Sequence, residues 1–498
     1  MRITVAELME VSGVKFGTSG ARGLAADMTD RVCCLYTKGF IQHLQRCGDL
    51  PGGRGEVAVA GDLRPSTKRI MAAGCRAVQD TGYVAVNCGF IPSPAVALYG
   101  LTHGVPSVMV TGSHIPEDRN GMKFNKCAGE ILKEDEHGIG HQSVEAADDL
   151  FDAAGAFVPR PGPALELCVQ AQEAYLARYL SVFPSAALSG KRVAVYQHSA
   201  VGRELLVRIL RGLGAETIPL GASAEFIPVD TEAIRPQDIR LAKEWARSYA
   251  LDAVVSTDGD SDRPLISDES GNWLRGDIAG ILCARFLEAD SVSTPVSCNT
   301  AVERCGCFPE VWRTRIGSPY VIASMIQASA RGARRVVGYE ANGGFLTNSD
   351  LRLDEGQLRA LPTRDAVLPI VSVLLLAARE RKTVSQLLAD LPARHTASDR
   401  LKDFPQAQSR AILDRYSTGD EVADRRAIEA TFGEVCGSVA DVNRTDGIRI
   451  TFKNGEIIHL RPSGNAPEFR CYSEAASAER ALELNTWCLG VLRRLSRG

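Results

Sequence analysis

One local pattern governs what this chain can fold into: a short β-branched run, a loop bearing Gly or Ser, a helical stretch, then a second short run, written each time with different residues. In the first copy, Val57-Ala58-Val59-Ala60 leads through Gly61-Asp62-Leu63-Arg64-Pro65-Ser66 into a helix-like stretch over 67–81, and Val84-Ala85-Val86 follows. Ser66 is a residue type that caps helix N-termini through its hydroxyl. In the second copy a run at 192–196 precedes a helical stretch over 203–213, with Gly214 as the stop before a run at 216–220. The third is split: Ala253-Val254-Val255 ends in an acidic loop, and Arg335-Val336-Val337 ends in Gly338. Strand, helix, strand at this pitch predicts parallel α/β layers with ligand loops at the carboxyl ends of the strands.

The chain has 498 residues, too many for one core. At roughly 100–200 residues per domain, about three to five domains are expected. Two segments read as joints. Phe157-Val158-Pro159-Arg160-Pro161-Gly162-Pro163 carries three prolines in seven residues and ends any periodic pattern. The other is Leu391-Pro392-Ala393-Arg394-His395, after which residues 447–452 alternate before Asn454-Gly455, a hairpin-type turn. The segment beyond this second joint reads as a separate, smaller α+β domain.

Charge excludes some partners. The 57 Lys and Arg against 60 Asp and Glu leave a net charge of −3 with no long basic block, so neither nucleic acid nor an anionic membrane surface is an expected partner. The opening residues carry charges every few positions, and no secretory signal is expected there. The greasiest stretch, 366–378, contains Pro369 and Ser372 and falls short of the roughly 20 residues a membrane crossing needs. The fourteen cysteines are scattered with no CxxC pair, which predicts reduced thiols in a cytoplasmic protein rather than a zinc site or disulfide framework.

Five loops carry chemistry. Lys15-Phe16-Gly17-Thr18-Ser19-Gly20-Ala21-Arg22-Gly23 combines glycines that let backbone N–H groups approach an oxyanion with one guanidinium that can fork onto phosphate. Thr111-Gly112-Ser113-His114-Ile115-Pro116 follows the run at 107–110, and Lys123 lies nearby. A Ser at a strand's end beside His and Lys is a candidate covalent carrier. It is not a hydrolase elbow, which needs Gly where Ile115 stands.

Asp258-Gly259-Asp260-Ser261-Asp262-Arg263-Pro264 places three carboxylates at alternate positions, where they can converge on one hard cation such as Mg2+. An EF-hand loop fails, because Arg263 stands where the sharp turn needs Gly and a strand-like run precedes it. An aspartyl-phosphate enzyme with Asp258 as nucleophile stays open on carboxylate spacing alone. In Gly338-Tyr339-Glu340-Ala341-Asn342-Gly343-Gly344, Glu340 and Asn342 can bond adjacent sugar hydroxyls. Finally, Arg461-Pro462-Ser463-Gly464-Asn465-Ala466-Pro467-Glu468-Phe469-Arg470 sets two guanidiniums around a turn able to nest a phosphate.

Taken in order, these loops resemble the α-D-phosphohexomutase superfamily, and within it the bacterial phosphomannomutase/phosphoglucomutase branch. The match spans Lys15 to Arg470, nearly the whole chain. The resemblance implies an α/β fold of four domains around a central cleft: three related α/β domains, 1–158 with the phosphoserine loop, 159–273 with the metal loop and 274–391 with the sugar loop, plus a smaller α+β domain, 392–498, with the phosphate loop. It implies interconversion of mannose 6-phosphate and mannose 1-phosphate, with glucose phosphates as further candidates, through a phosphoserine at Ser113 and a hexose 1,6-bisphosphate that also serves as activator. Asp258, Asp260 and Asp262, with a phosphate oxygen on Ser113, would hold Mg2+. Arg22 and Arg263 would steady the phosphoserine. Glu340 and Asn342 would read the sugar's 3- and 4-hydroxyls, and Arg461, Ser463, Gly464, Asn465 and Arg470 would grip the unreacting phosphate. Lys123 stands at the family's acid/base position, and His114 is a second candidate; an unperturbed Lys titrates near ~10.4, so as a base it needs a depressed pKa. The expected partner is a small hexose phosphate, and the expected assembly a monomer or homodimer.

The sequence departs from that pattern in three places. Asn342-Gly343-Gly344 stands where the branch commonly has Ser-Gly-His, so a histidine is missing at 344. Glu340-Ala341-Asn342-Gly343 instead resembles acetylglucosamine-phosphate mutases. Asn465-Ala466 stands where many relatives have Thr-Glu. Besides the mannose reading, three alternatives follow: an amino-sugar phosphate mutase, a phosphotransferase or phosphatase using Asp258, and a non-catalytic sugar-phosphate sensor.

Overall fold

The computed structural model describes residues 2–17, 20–50, 55–158, 165–353, 356–463 and 467–496. They fall into two compact units, Met1–Val292 with Gly317–Leu388, and Ser293–Ile316 with Ala389–Gly498.

In the first unit the amino-terminal sheet runs, edge to edge, Lys15–Phe16, Ala21–Leu24, Arg119–Lys126, Ser107–Val110, Glu56–Gly61, Val84–Phe90. Glu56–Gly61 pairs in parallel with both of its neighbours, and Arg119–Lys126 runs antiparallel to Ser107–Val110. Alternation sorts the side chains. Val57, Val59, Val108, Val110, Met122 and Phe124 share one core with Tyr36, Phe40 and Leu44 of the helix Asp30–Cys47 and Ile70, Met71 and Val78 of the helix Thr67–Asp80. Ala58 and Ala60 alternate with those valines, and the helix Ser93–His103 packs on the same strand. Ser66 occupies the expected N-cap position of Thr67–Asp80 but makes no capping bond; its hydroxyl accepts instead from Asn120 Nδ2 at 2.9 Å.

A second sheet orders Glu216–Ala222, Arg192–His198, Ala253–Thr257 and Pro264–Ile266, parallel except for the last strand. The predicted helix between its first strands is Arg203–Gly212, and Gly214, at φ 93°, ends that segment in a conformation glycine adopts freely. Farther along, Val336–Tyr339, Phe345–Thr347 and Leu361–Asp365 form an antiparallel ladder. The apolar stretch after it folds as the helix Val367–Glu380, buried from Val367 to Ala377 and packed on the helix Gly276–Phe286. Pro369 sits in its first turn, where a missing N–H breaks no helical bond. Among the described residues no helix is long and apolar enough to cross a membrane.

The second unit holds an antiparallel sheet ordered His395–Leu401, Phe469–Ala475, Ile457–Pro462, Ile448–Phe452, Val439–Asn443. The Asn454-Gly455 turn joins two of these strands, with Gly455 at φ 84°. Helices Glu421–Cys436 and Ala478–Leu495 complete its core through Ile428, Phe432, Leu484 and Leu492. The excursion Ser293–Ile316 is fastened here: Asn299 Nδ2 donates to the Arg394 carbonyl, the Thr300 hydroxyl to Glu474, and Arg394 Nε to Glu474 Oε1 at 2.6 Å. All fourteen cysteines are free thiols, nine of them buried.

Candidate active site

Ser113 lies at the carboxyl end of the strand Ser107–Val110, where sequence pattern places a ligand loop. Its backbone is left-handed, φ 56°, and the residue is fully buried. Such a conformation in a residue other than glycine costs on the order of 1–3 kcal/mol, so neighbouring bonds must hold it. They do. The Ser113 N–H donates to Thr111 Oγ1 at 2.7 Å, and Arg64 Nη2 donates to the Ser113 carbonyl at 2.8 Å. Arg64 also donates to the carbonyls of Ile115, Pro116 and Arg119, so one buried guanidinium organises the whole turn. Asp62 accepts from Arg64 Nε and from the hydroxyls of Thr67 and Thr111. Gly112 is required by the closeness of that clamp, since a Cβ there would lie 2.6 Å from Arg64 Cζ.

The Ser113 hydroxyl donates to Asp258 Oδ2 at 2.7 Å. Asp258, Asp260 and Asp262 are all buried, on a tight loop after Ala253–Thr257 in which Ser261 is also left-handed, φ 58°. One oxygen from each carboxylate lies within 4.8 Å of the others. Asp258 Oδ1 accepts the N–H groups of Asp262 and Arg263. Asp260 Oδ1 and Asp262 Oδ1 are buried without a hydrogen-bond donor. An all-oxygen donor set with two such oxygens fits a hard divalent cation, which the three aspartates would hold. Lys123 reaches this cluster from the strand Arg119–Lys126, its Nζ 2.6 Å from Asp260 Oδ2 and 2.6 Å from Asp262 Oδ2. Ser93 adds a 2.6 Å hydroxyl bond to Asp260.

Burial and the charges of Asp260 and Asp262 push the Asp258 carboxyl well above the usual range. Burial alone would raise Asp260 too, but the Lys123 ammonium and the Ser93 hydroxyl hold it low. Cations crowd the same place. Burial and the neighbouring guanidiniums of Arg263 and Arg364 lower Arg22 to about 10. Arg263 Nε stands 3.6 Å from Asp262 Oδ1 and 3.8 Å from Asp258 Oδ2. His114 Nδ1 lies 3.4 Å from the Ser113 hydroxyl, and burial with the charges of Arg263 and Arg22 depresses its pKa far below neutrality. It is therefore a neutral imidazole, able to orient the serine but holding no proton to donate as an imidazolium.

Glu340 and Asn342 are buried on the turn between Val336–Tyr339 and Phe345–Thr347. The Asn342 side-chain oxygen accepts the Gly344 N–H at 2.8 Å, and its carbonyl accepts the Thr231 hydroxyl. Arg364 Nη1 donates to Glu340 Oε2 at 3.3 Å and its Nε to Asp262 Oδ2 at 3.1 Å. Ser113, His114, Lys123, the three aspartates, Arg22, Arg263, Glu340 and Asn342 thus belong to the first unit.

The residues expected to grip the unreacting phosphate belong to the second. Arg461 Nε pairs with Asp446 Oδ2 at 2.9 Å, Arg470 Nη2 with Glu468 Oε2 at 3.3 Å, and Ser463 is buried, its N–H donating to the Glu468 carbonyl. Gly464 and Asn465 lie outside the described residues, as do Thr18 and Ser19 of the first loop. Sequence reasoning does not single out Arg64, Ser93 or Arg364. Arg64 stands in the first strand-end loop, and Arg364-Asp365 is a charged pair set directly against an apolar helix; those positions are the available signals.

Comparison with known proteins bears on this arrangement. Four phosphoglucomutase/phosphomannomutase family models match in order: α/β/α domain I at residues 13–148, α/β/α domain II at 173–271, α/β/α domain III at 275–395 and the C-terminal domain at 410–486. The chain is 44% identical over 478 residues to a phosphomannomutase of Salmonella muenchen, covering 96% of this chain and 95% of that protein. It is 42% identical over 480 residues to a phosphomannomutase of Sinorhizobium fredii, covering 96% and 99%. A crystal structure of a phosphoglucomutase/phosphomannomutase family protein from Burkholderia thailandensis superposes with a TM-score of 0.74 at 18% identity, covering 100% of this chain and 99% of that one.

Proposed function

The chain belongs to the phosphoglucomutase/phosphomannomutase family, and on that premise we propose that it is a phosphomannomutase interconverting mannose 6-phosphate and mannose 1-phosphate, with glucose phosphates as secondary substrates. The observation that carries the reading is the Ser113 hydroxyl, held on a left-handed buried turn and hydrogen-bonded at 2.7 Å to the first of three converging aspartates. A strained, fully bonded turn is a costly way to present an ordinary serine and a direct way to present a phosphoryl carrier.

In the forward step a sugar hydroxyl attacks the phosphorus carried on Ser113. The P–O bond to Ser113 Oγ breaks, a P–O bond to the sugar forms, and the hydroxyl proton leaves. The resulting hexose 1,6-bisphosphate returns its other phosphoryl group to Ser113, and the second sugar phosphate departs. A divalent cation, Mg2+ in our reading, held by Asp258, Asp260 and Asp262 supplies charge neutralisation for the transferring phosphoryl group. Arg22 and Arg263 would bind its oxygens bidentately. Lys123 is the group proposed to exchange the proton, with His114 as a neutral orienting partner of Ser113. Paired with Asp260 and Asp262, Lys123 is held as the ammonium, so it acts as a base only after leaving those carboxylates and losing a proton. Glu340 and Asn342 would read the sugar hydroxyls, and Arg461, Ser463, Gly464, Asn465 and Arg470 the unreacting phosphate.

We assign four domains, 1–158, 159–273, 274–391 and 392–498, an assignment supported by the order and spans of the matching family models. The free thiols support a reducing, cytoplasmic setting.

A coupled assay with Mg2+ and a trace of hexose 1,6-bisphosphate, run on mannose 1-phosphate, glucose 1-phosphate and glucosamine 1-phosphate, tests the reading. Mannose 1-phosphate is expected to turn over fastest, and Ser113→Ala to abolish turnover while the fold is retained. A fully active Ser113→Ala protein would move the carrier to Asp258. Preference for the amino sugar would reassign the substrate.

A further inference from the structure

Position 344 carries glycine where the family resemblance expects histidine. Its backbone is not left-handed, so conformation alone would admit any residue there. Space does not. A Cβ built on Gly344 would lie 2.5 Å from Cδ and 2.6 Å from Cγ of Arg364, and 3.0 Å from Asn342 Oδ1. The stem of an arginine from the strand Leu361–Asp365 lies across this glycine, and the arginine is 3% exposed.

The far end of that side chain joins two loops that chemistry separates. Arg364 Nε donates to Asp262 Oδ2 on the carboxylate loop, at 3.1 Å, and Nη1 donates to Glu340 Oε2 on the sugar loop, at 3.3 Å. The two acceptors lie 78 residues apart in the chain (340 − 262). A planar, permanently charged fork can serve both at once; an ammonium is a point charge and cannot keep the same geometry. Glu340 has a second constraint, its N–H donating to the Gly344 carbonyl at 3.1 Å, so the glycine and the arginine act on the same carboxylate-bearing residue.

We propose that Arg364 is a positioning residue for sugar recognition. It fixes the Glu340 carboxylate in register with the carboxylate loop, and Gly344 is glycine because the arginine stem takes the volume a side chain there would need. The proposal rests on the reading of Glu340 as a sugar-binding group. It gives the glycine at 344 a steric reason.

The test is a double-mutant cycle on the full-length enzyme, with mannose 6-phosphate binding by calorimetry and mannose 1-phosphate kinetics as readouts. Arg364→Ala is expected to weaken binding and raise KM about tenfold or more, with a smaller fall in kcat; added to Glu340→Gln, it should cost less than about twofold further, because both act through one carboxylate. Gly344→Ala should reproduce the loss of Arg364→Ala and add nothing on top of it. Arg364→Lys, which keeps stem and charge but not the fork, should recover less than half of the lost binding and stands in if the alanine variant does not fold.

Equal fold-losses from Arg364→Ala with Glu340 intact and with Glu340→Gln in place would overturn the proposal, since Arg364 would then act as a free charge on the substrate phosphate. So would a Gly344→Ala enzyme with wild-type KM. Wild-type protein that neither binds nor converts the sugar phosphate would overturn the mannose reading instead; the same cycle read by thermal melting then decides the Arg364–Glu340 coupling, additive losses refuting it.

Discussion

Lys123 shows how much of this site is electrostatic arrangement rather than shape. Its ammonium lies 2.6 Å from two carboxylates that are themselves buried, and it supplies the ion pair of Asp260, while Asp262 is shared with Arg263 and Arg364. Removing one partner from a buried ionic group typically costs about 3–5 kcal/mol. Lys123→Ala is therefore expected to lose turnover and to melt lower without metal, and a divalent cation should raise its melting temperature by more than it raises the wild type's. A cation at about 100 times its Kd stabilises by about 2.7 kcal/mol, well within reach of calorimetry. An equal metal-induced shift in both proteins would show that Lys123 does not share the carboxylates with the cation. Arg64 makes a second case. Arg64→Ala strips the Ser113 turn of its bonds to four carbonyls and strands Asp62, and the expected loss is again about 3–5 kcal/mol, with turnover falling alongside; full activity in a stable variant would refute the clamp.

Elements place these groups through close backbone approach. Gly276 opens the helix Gly276–Phe286, and a Cβ there would lie 2.3 Å from the Gly343 nitrogen and 2.5 Å from the Asn342 carbonyl carbon. The loop of Asn342 and Gly343 thus rests directly on a helix terminus. Gly276→Ala is expected to raise KM for the sugar phosphate several-fold; unchanged KM would show that the loop position is indifferent to this contact. Such dependence also explains what sequence does and does not reveal. The strand-loop-helix copies and the loops of Ser113 and Asp258 are legible because each writes its pattern in contiguous residues. Ser66 misleads, since a capping residue type finds a better partner in Asn120 across the sheet. Arg364 shows in sequence only as half of a charged pair before an apolar stretch, because its meaning lies in two acceptors brought together by tertiary structure.

For the whole molecule, two buried histidines besides His114 tie stability to pH. Burial lowers His198 and His459 to about 4, each offset in part by a bond to a backbone carbonyl, of Thr257 and Asp446 respectively. Unfolded histidine takes up its proton near ~6.5, so between that value and about 4 the unfolded chain binds more protons than the folded one. Stability attributable to these residues is complete above that window and falls as the pH drops through it, by on the order of 3 kcal/mol each. Melting between pH 7 and 4.5 should show the decline, and His459→Gln should flatten it for the second unit; an unaltered slope would acquit His459. The two-unit division has a consequence for recombination. Because residues 293–316 leave the first unit, bond to Arg394 and Glu474, and return, the second unit is inherited in two pieces. A chimera that takes only 392–498 from a relative mixes foreign strands with a native strap, whereas one that exchanges 293–316 together with 389–498 transplants a matched set.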